Sequence, residues 1–239
     1  MIELIAFDGD DTLWHGEVLF ARTQEWFVTL LSPYGEEEQI MESLAQVETT
    51  NLSLFGYGVK GFTLSMIETA IQLTAGRITG VEIQKVIDKA REMLSSPVSL
   101  LDGAREAVSR LSKTHRLMIV TKGDLLDQES KISRSGLSGY FAHIQVVSEK
   151  TTETYAALLR RMGVRPESFL MAGNSLRSDV IPVLELGGYA VHIPYALTWA
   201  HERVDTPPTD NPRFHMLESL GRLPDLVKEL DAGPGGTEA

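Results

Sequence analysis

Asp8 and Asp10 stand two residues apart, where a short apolar run, Ile2 to Phe7, gives way to Asp8-Gly9-Asp10-Asp11. Two carboxylates so placed can reach one site from different backbone positions, and holding both there is costly unless a cation lies between them. One can attack phosphorus while the other moves a proton. The same residues also describe an ordinary acidic turn, so the company they keep decides the reading. Three more polar clusters follow apolar runs: Thr121-Lys122, Ser148/Lys150 and Asn174/Ser175/Asp179. Ligands of open parallel sheets bind outside the carboxyl ends of the strands. Four clusters at four strand ends therefore converge on one place.

The elements that must position them are legible in the periodicity. Ile2 to Phe7 predicts a buried strand feeding a tight loop. From about Gly16 to Leu94 the apolar residues recur at three- and four-residue steps, as in Ile40, Met41, Leu44 and Val47, or Ile83, Val86, Ala90 and Met93. This stretch predicts a compact helical unit without a strand. After Pro97 the chain alternates: a helix near 104–111, a strand at 117–120, a helix to about 133 and a strand at 144–147. A helix at 152–162, a strand at 169–172, a helix at about 178–186 and a strand at 190–193 complete the series. That order predicts right-handed crossovers and a doubly wound parallel sheet with helices on both faces.

Composition narrows the class. The 239 residues are 43% hydrophobic and 23% charged, enough to bury a sizeable core in one or two domains. A net charge of −11 argues against a general nucleic-acid binder, whose phosphate contacts need a basic face. A phosphate site here has to build its positive potential locally. There is no cysteine, which excludes disulfides and thiolate metal sites and fits a reducing compartment. No apolar stretch reaches the length of a membrane span, and the opening MIELIAFDGDD is unlike a signal peptide, so the cytoplasm is the expected location. The chain lacks G-x-G-x-x-G after a strand and G-x-x-x-x-G-K-[ST], which removes support for dinucleotide and P-loop chemistry.

Taken together, Ile5-Ala6-Phe7-Asp8-Gly9-Asp10-Asp11-Thr12-Leu13 resembles the first motif of the haloacid dehalogenase-like (HAD) hydrolases, D-x-D-x-T-[LV]. Thr121 matches that family's second motif, Lys150 its third, and Gly173-Asn174-Ser175-Leu176-Arg177-Ser178-Asp179 its acidic fourth. The resemblance implies an α/β Rossmannoid core at 1–15 and 97–231, with an inserted α-helical cap of the first type at 16–96. Residues 232–239 are expected to be a disordered tail.

It also implies roles. Asp8 would be the nucleophile and Asp10 the general acid and base, while Thr12 would hold the loop. Thr121, with Lys122, would bind phosphate, and Lys150 would neutralise the nucleophile and the phosphoryl group. Mg²⁺ would be held by Asp8, the Asp10 carbonyl and Asn174, with Asp179 acting through water and orienting Lys150. The activity implied is a phosphohydrolase for a small phosphorylated metabolite. The alternatives are a phosphomutase of the same family and a non-catalytic binding protein on the same fold. Oligomeric state has no signature in the sequence.

Two departures stand out. Asp11 replaces the family's usual glycine, and its side chain is expected to face solvent. Asn174 replaces the usual first aspartate of the fourth motif, removing one charge from the metal site. Dehalogenases and phosphonate-cleaving relatives also lack the second carboxylate of the first motif, which this chain keeps as Asp10. Weaker signals are Asn51 to Gly61, read as a glycine-rich loop that brings Lys60 or Tyr57 to the leaving group, and Trp14-His15, read as entrance lining or hinge packing. Tyr195 to Trp199 is a candidate rim loop. His192, His201 and His215 read as surface or packing residues.

Overall fold

The computed structural model describes residues 1–197, 202, 204 and 206–233. They contain a six-stranded sheet of β1 (Leu4–Phe7), β2 (Arg116–Lys122), β3 (His143–Val147), β4 (Phe169–Gly173), β5 (Tyr189–His192) and β6 (Phe214–Met216). The spatial order is β3-β2-β1-β4-β5-β6. β1 pairs in parallel with both β2 and β4, placing Phe7 opposite Ile119 and Ala172. The strand bearing the first acidic cluster therefore lies mid-sheet, flanked by those bearing the Thr121 and Asn174 clusters.

β1 is apolar at every position because it is covered on both faces. Ile5 and Phe7 point to one core with Leu117, Ile119 and Leu170, closed by α5 (Ala104–Leu111) and α9 (Leu223–Ala232). Leu4 and Ala6 point to the other, with Met118, Phe169 and Met171, under α7 (Thr152–Met162) and α8 (Ile181–Glu185). α6 (Leu125–Ser135) follows β2. Several of its buried positions are polar, namely Asp127, Gln128 and Ser135.

The chain divides into two compact units. One comprises residues 1–17, 98–121 and the described residues from 130 onward; the other comprises Val18–Pro97 together with Lys122–Glu129. The second contains α1 (Glu17–Leu31) from its second residue onward, α2 (Glu37–Phe55), α3 (Val59–Leu73) and α4 (Gly80–Ser95), packed around Phe27, Leu31, Leu44, Phe62, Met66 and Val86. α4 opens on a capping box in which Thr79 and Glu82 satisfy each other's backbone N–H groups.

The structure departs from the sequence expectations in four places. Asn51 to Phe55 are helical, since the Asn51 amide is buried and donates to Ser65 Oγ and Glu68; the true connection is Gly56-Tyr57-Gly58. The turn after β4 forms one wide π-type turn, Leu176–Val180, and α8 starts only at Ile181. β6 is an edge strand of three residues, too short to show alternation. Ala232 closes α9 and does not begin a tail, while residues 234–239 lie outside the described residues.

Candidate active site

Asp8 follows β1 directly, and its backbone N–H donates to the Ala172 carbonyl, so the sheet itself fixes it. Lys150 ends the β3–α7 connection and points inward. Its Nζ lies 2.5 Å from Asp8 Oδ1 and 2.6 Å from Asp179 Oδ1. All three residues are buried, Asp179 almost fully, at 1% exposure. The second Asp179 oxygen accepts from the Ser175 N–H, so both of its oxygens are occupied by protein donors. A Cβ at Gly173 would sit 2.2 Å from Asp179 Oδ2, so only glycine lets that carboxylate through.

Burial pushes the Asp8 carboxyl up to about 7; the Lys150 charge opposes this and the Asp179 charge adds to it. Burial pulls on Lys150 in the downward sense, but Asp179 and Asp8 outweigh it and hold the ammonium above its ordinary range. Lys150 therefore stays charged beside both carboxylates.

Thr12 Oγ lies 3.4 Å from both Asp8 Oδ2 and Asn174 Oδ1. One hydroxyl thus joins the first and fourth motifs. His192, at the end of β5, meets the Asn174 carbonyl through Nε2 at 3.0 Å. Burial lowers the His192 pKa, so the neutral ring donates this bond. His192 supports Asn174, a role beyond the packing read from the sequence. Thr121 is buried beside the first loop, where a Cβ at Gly9 would come 3.2 Å from its Oγ.

Asp10 is held by residues that the sequence reading did not connect to it. Its Oδ1 accepts from Trp14 Nε1 and from Lys131 Nζ, both at 3.0 Å, and its Oδ2 lies 3.2 Å from Lys131 Nζ. Trp14 is buried and His15 meets Tyr195 Oη at 2.7 Å. Trp199 and His201 lie outside the described residues, and His215 is partly buried.

Asp11 does not face solvent. It is 7% exposed, and its carboxylate accepts the backbone N–H groups of Gly16 and Glu17, tying down the chain where α1 begins. Carboxylates are favoured at such a start because the first N–H groups of a helix lack partners. Its φ of +62° is the left-handed geometry for which the family's glycine is suited. Burial, the largest influence, raises its pKa to about 7.

In the helical unit, the Lys60 ammonium engages both oxygens of Asp124, at 2.9 and 3.0 Å, and the Lys122 ammonium lies 4.2 Å from the centre of the Tyr57 ring. Lys60 belongs to the first turn of α3 and not to a loop.

The oxygen donors at the strand ends suit a hard cation. Among the described residues, no three His, Cys, Asp or Glu side chains gather as a metal site. A carboxylate, an amide oxygen and a backbone carbonyl still fit Mg²⁺, which binds through one or two carboxylates and keeps several waters.

A profile of the haloacid dehalogenase-like hydrolase family matches residues 2–187. N-acylneuraminate-9-phosphatase of Mus musculus is 26% identical over 96% of this chain and 95% of its own length. Glyceraldehyde 3-phosphate phosphatase of Methanothermobacter thermautotrophicus is 25% identical over 84% of this chain and 89% of its own. The crystal structure of a haloacid dehalogenase-like family hydrolase from Xanthomonas campestris superposes with a TM-score of 0.87 and 43% identity, covering 99% of this chain and 95% of that one.

Proposed function

The chain belongs to the haloacid dehalogenase-like hydrolases, and within that family we propose that it is a magnesium-dependent phosphohydrolase of a small phosphorylated metabolite. The observation that carries this reading is the Lys150 ammonium lodged between Asp8 and Asp179, with Asp10 kept two residues from the nucleophile. Two relatives named as phosphatases, whose names give different substrates, support the reaction class and leave the substrate open.

In the first half-reaction an Asp8 oxygen bonds to phosphorus as the bond from phosphorus to the substrate's organic oxygen breaks. Asp10 gives its proton to that departing oxygen. In the second, water adds to phosphorus and the bond to Asp8 breaks. Asp10 takes the water's proton, and inorganic phosphate leaves. Lys150 balances charge on the nucleophile and on the phosphoryl oxygens in a water-poor site. Thr121 and the Lys122 N–H grip the phosphoryl group. Asp8, the Asp10 carbonyl, Asn174 and, through water, Asp179 would hold Mg²⁺, which when bound adds positive charge against the phosphoryl oxygens.

Retention of Asp10 favours phosphate esters over carbon–halogen bonds, since only an oxygen leaving group needs a proton. A screen of phosphorylated metabolites for phosphate release, with and without magnesium, tests the proposal with Asp8→Asn as the blank. Release that requires Asp8 and magnesium supports it; equal release from Asp8→Asn refutes it.

A further inference from the structure

We propose that Lys131 is a positioning residue of this reaction, fixing with Trp14 the orientation of the Asp10 carboxylate; this rests on the phosphohydrolase reading above. Lys131 lies on α6, 121 residues from Asp10 in sequence, and matches none of the four motifs. Its ammonium nevertheless reaches both Asp10 oxygens, and the Trp14 indole N–H takes Oδ1 from a second direction. A carboxylate held from two directions has its plane fixed as well as its place.

The surroundings are shaped to this orientation. A Cβ at Gly16 would lie 2.8 Å from both Asp10 Cβ and Asp10 Oδ1, so glycine clears the space that the carboxylate fills. Trp14 is buried at 1% exposure and cannot swing away without vacating the core. The Lys131 side chain is 15% exposed and that of Asp10 is 29% exposed. The lysine stem is thus packed, while the carboxylate retains an open side through which a proton can pass. A surface ion pair made for stability has no need of a buried indole and a cleared glycine, and contributes little.

A general acid and base works only when its oxygen is within hydrogen-bonding reach of the proton it moves, and a displacement near 1 Å costs on the order of 100-fold in rate. Lys131 touches neither substrate nor phosphorus in this proposal; it acts through Asp10. Its loss therefore falls on turnover and not on substrate binding.

The experiment compares wild type, Lys131→Met and Lys131→Arg in steady state on p-nitrophenyl phosphate with saturating magnesium, alongside their thermal midpoints. The expected result for Lys131→Met is a kcat lower by about 10- to 100-fold, a KM within about twofold and an unchanged midpoint. Lys131→Arg, which can still present two N–H groups to the carboxylate, is expected to recover most of the lost kcat. Turnover by Lys131→Met equal to or above wild type overturns the proposal, as does an arginine variant no better than the methionine one. A wild type that releases phosphate neither from p-nitrophenyl phosphate nor from any metabolite of the screen sinks the phosphohydrolase reading and this proposal together, whereas an active wild type with an indifferent Lys131→Met sinks this one alone.

Discussion

The Lys150 ammonium lies 2.6 Å from Asp179 Oδ1, joining two buried groups 29 residues apart in sequence. Because Asp179 is also held by the Ser175 N–H, it acts as a fixed anchor against which the lysine is aimed at Asp8. Lys150→Met would leave two buried carboxylates without their shared cation. Loss of one member of a buried ion pair costs about 3–5 kcal/mol, and phosphatase turnover should fall by at least about 100-fold. Urea unfolding and phosphate release measure the two effects. The double variant Lys150→Met/Asp179→Leu should regain part of the stability and none of the activity.

Gly173→Ala tests the same anchor from the backbone side. An added methyl 2.2 Å from Asp179 Oδ2 cannot be accommodated without moving that carboxylate. Overpacking of this kind costs about 1–3 kcal/mol. Turnover should drop more than the stability loss explains, and calorimetry beside kinetics would reveal a variant in which the two stay unaffected.

Asn174→Asp should bind magnesium more tightly, by roughly tenfold for one added charge at a partly screened site. Asn174 Oδ1 already shares the Thr12 hydroxyl with Asp8 Oδ2, so the new carboxylate would sit where the amide oxygen is now. Titration of magnesium by calorimetry reads this directly; equal affinity in the two proteins would remove Asn174 from the proposed ligand set.

Asp11 gives a pH signature. Its folded-state pKa of about 7 lies above the ordinary carboxyl value of 3.8, so the folded protein holds this proton more firmly than the unfolded chain. The stability it contributes is fully present below about pH 4 and is lost as pH rises through about 7. The difference in urea midpoint between wild type and Asp11→Asn should therefore change across that window and flatten above it. The limiting slope is about 1.4 kcal/mol per pH unit. A constant difference from pH 4 to 8 would refute the assignment.

Much of the architecture was legible because each element had a local cause. β1 is a fully apolar run halted by acid, the four helices of the insert carry apolar stripes, and Gly163 stops α7 in the left-handed geometry. The clusters ending β1 and β4 come together because the two strands are neighbours mid-sheet, an order that the alternation of strands and helices does not by itself give. The surroundings of Asp10 were not legible, since Trp14 approaches it through an irregular turn and Lys131 through tertiary packing. No local pattern pointed to Lys131, which belongs to none of the four motifs and lies 121 residues from Asp10. The solvent-facing expectation for Asp11 failed for a related reason. A charge in a loop reads as exposed unless the helix start it serves is known to fold back onto it.

The positive φ at Asp11 also bears on how this loop can change through descent. A path that runs through left-handed space is open to glycine without penalty and to aspartate or asparagine at small cost, while β-branched residues are shut out. Lineages can therefore exchange the flexible solution for one with an added tether to the start of α1, without redrawing the backbone beside Asp8.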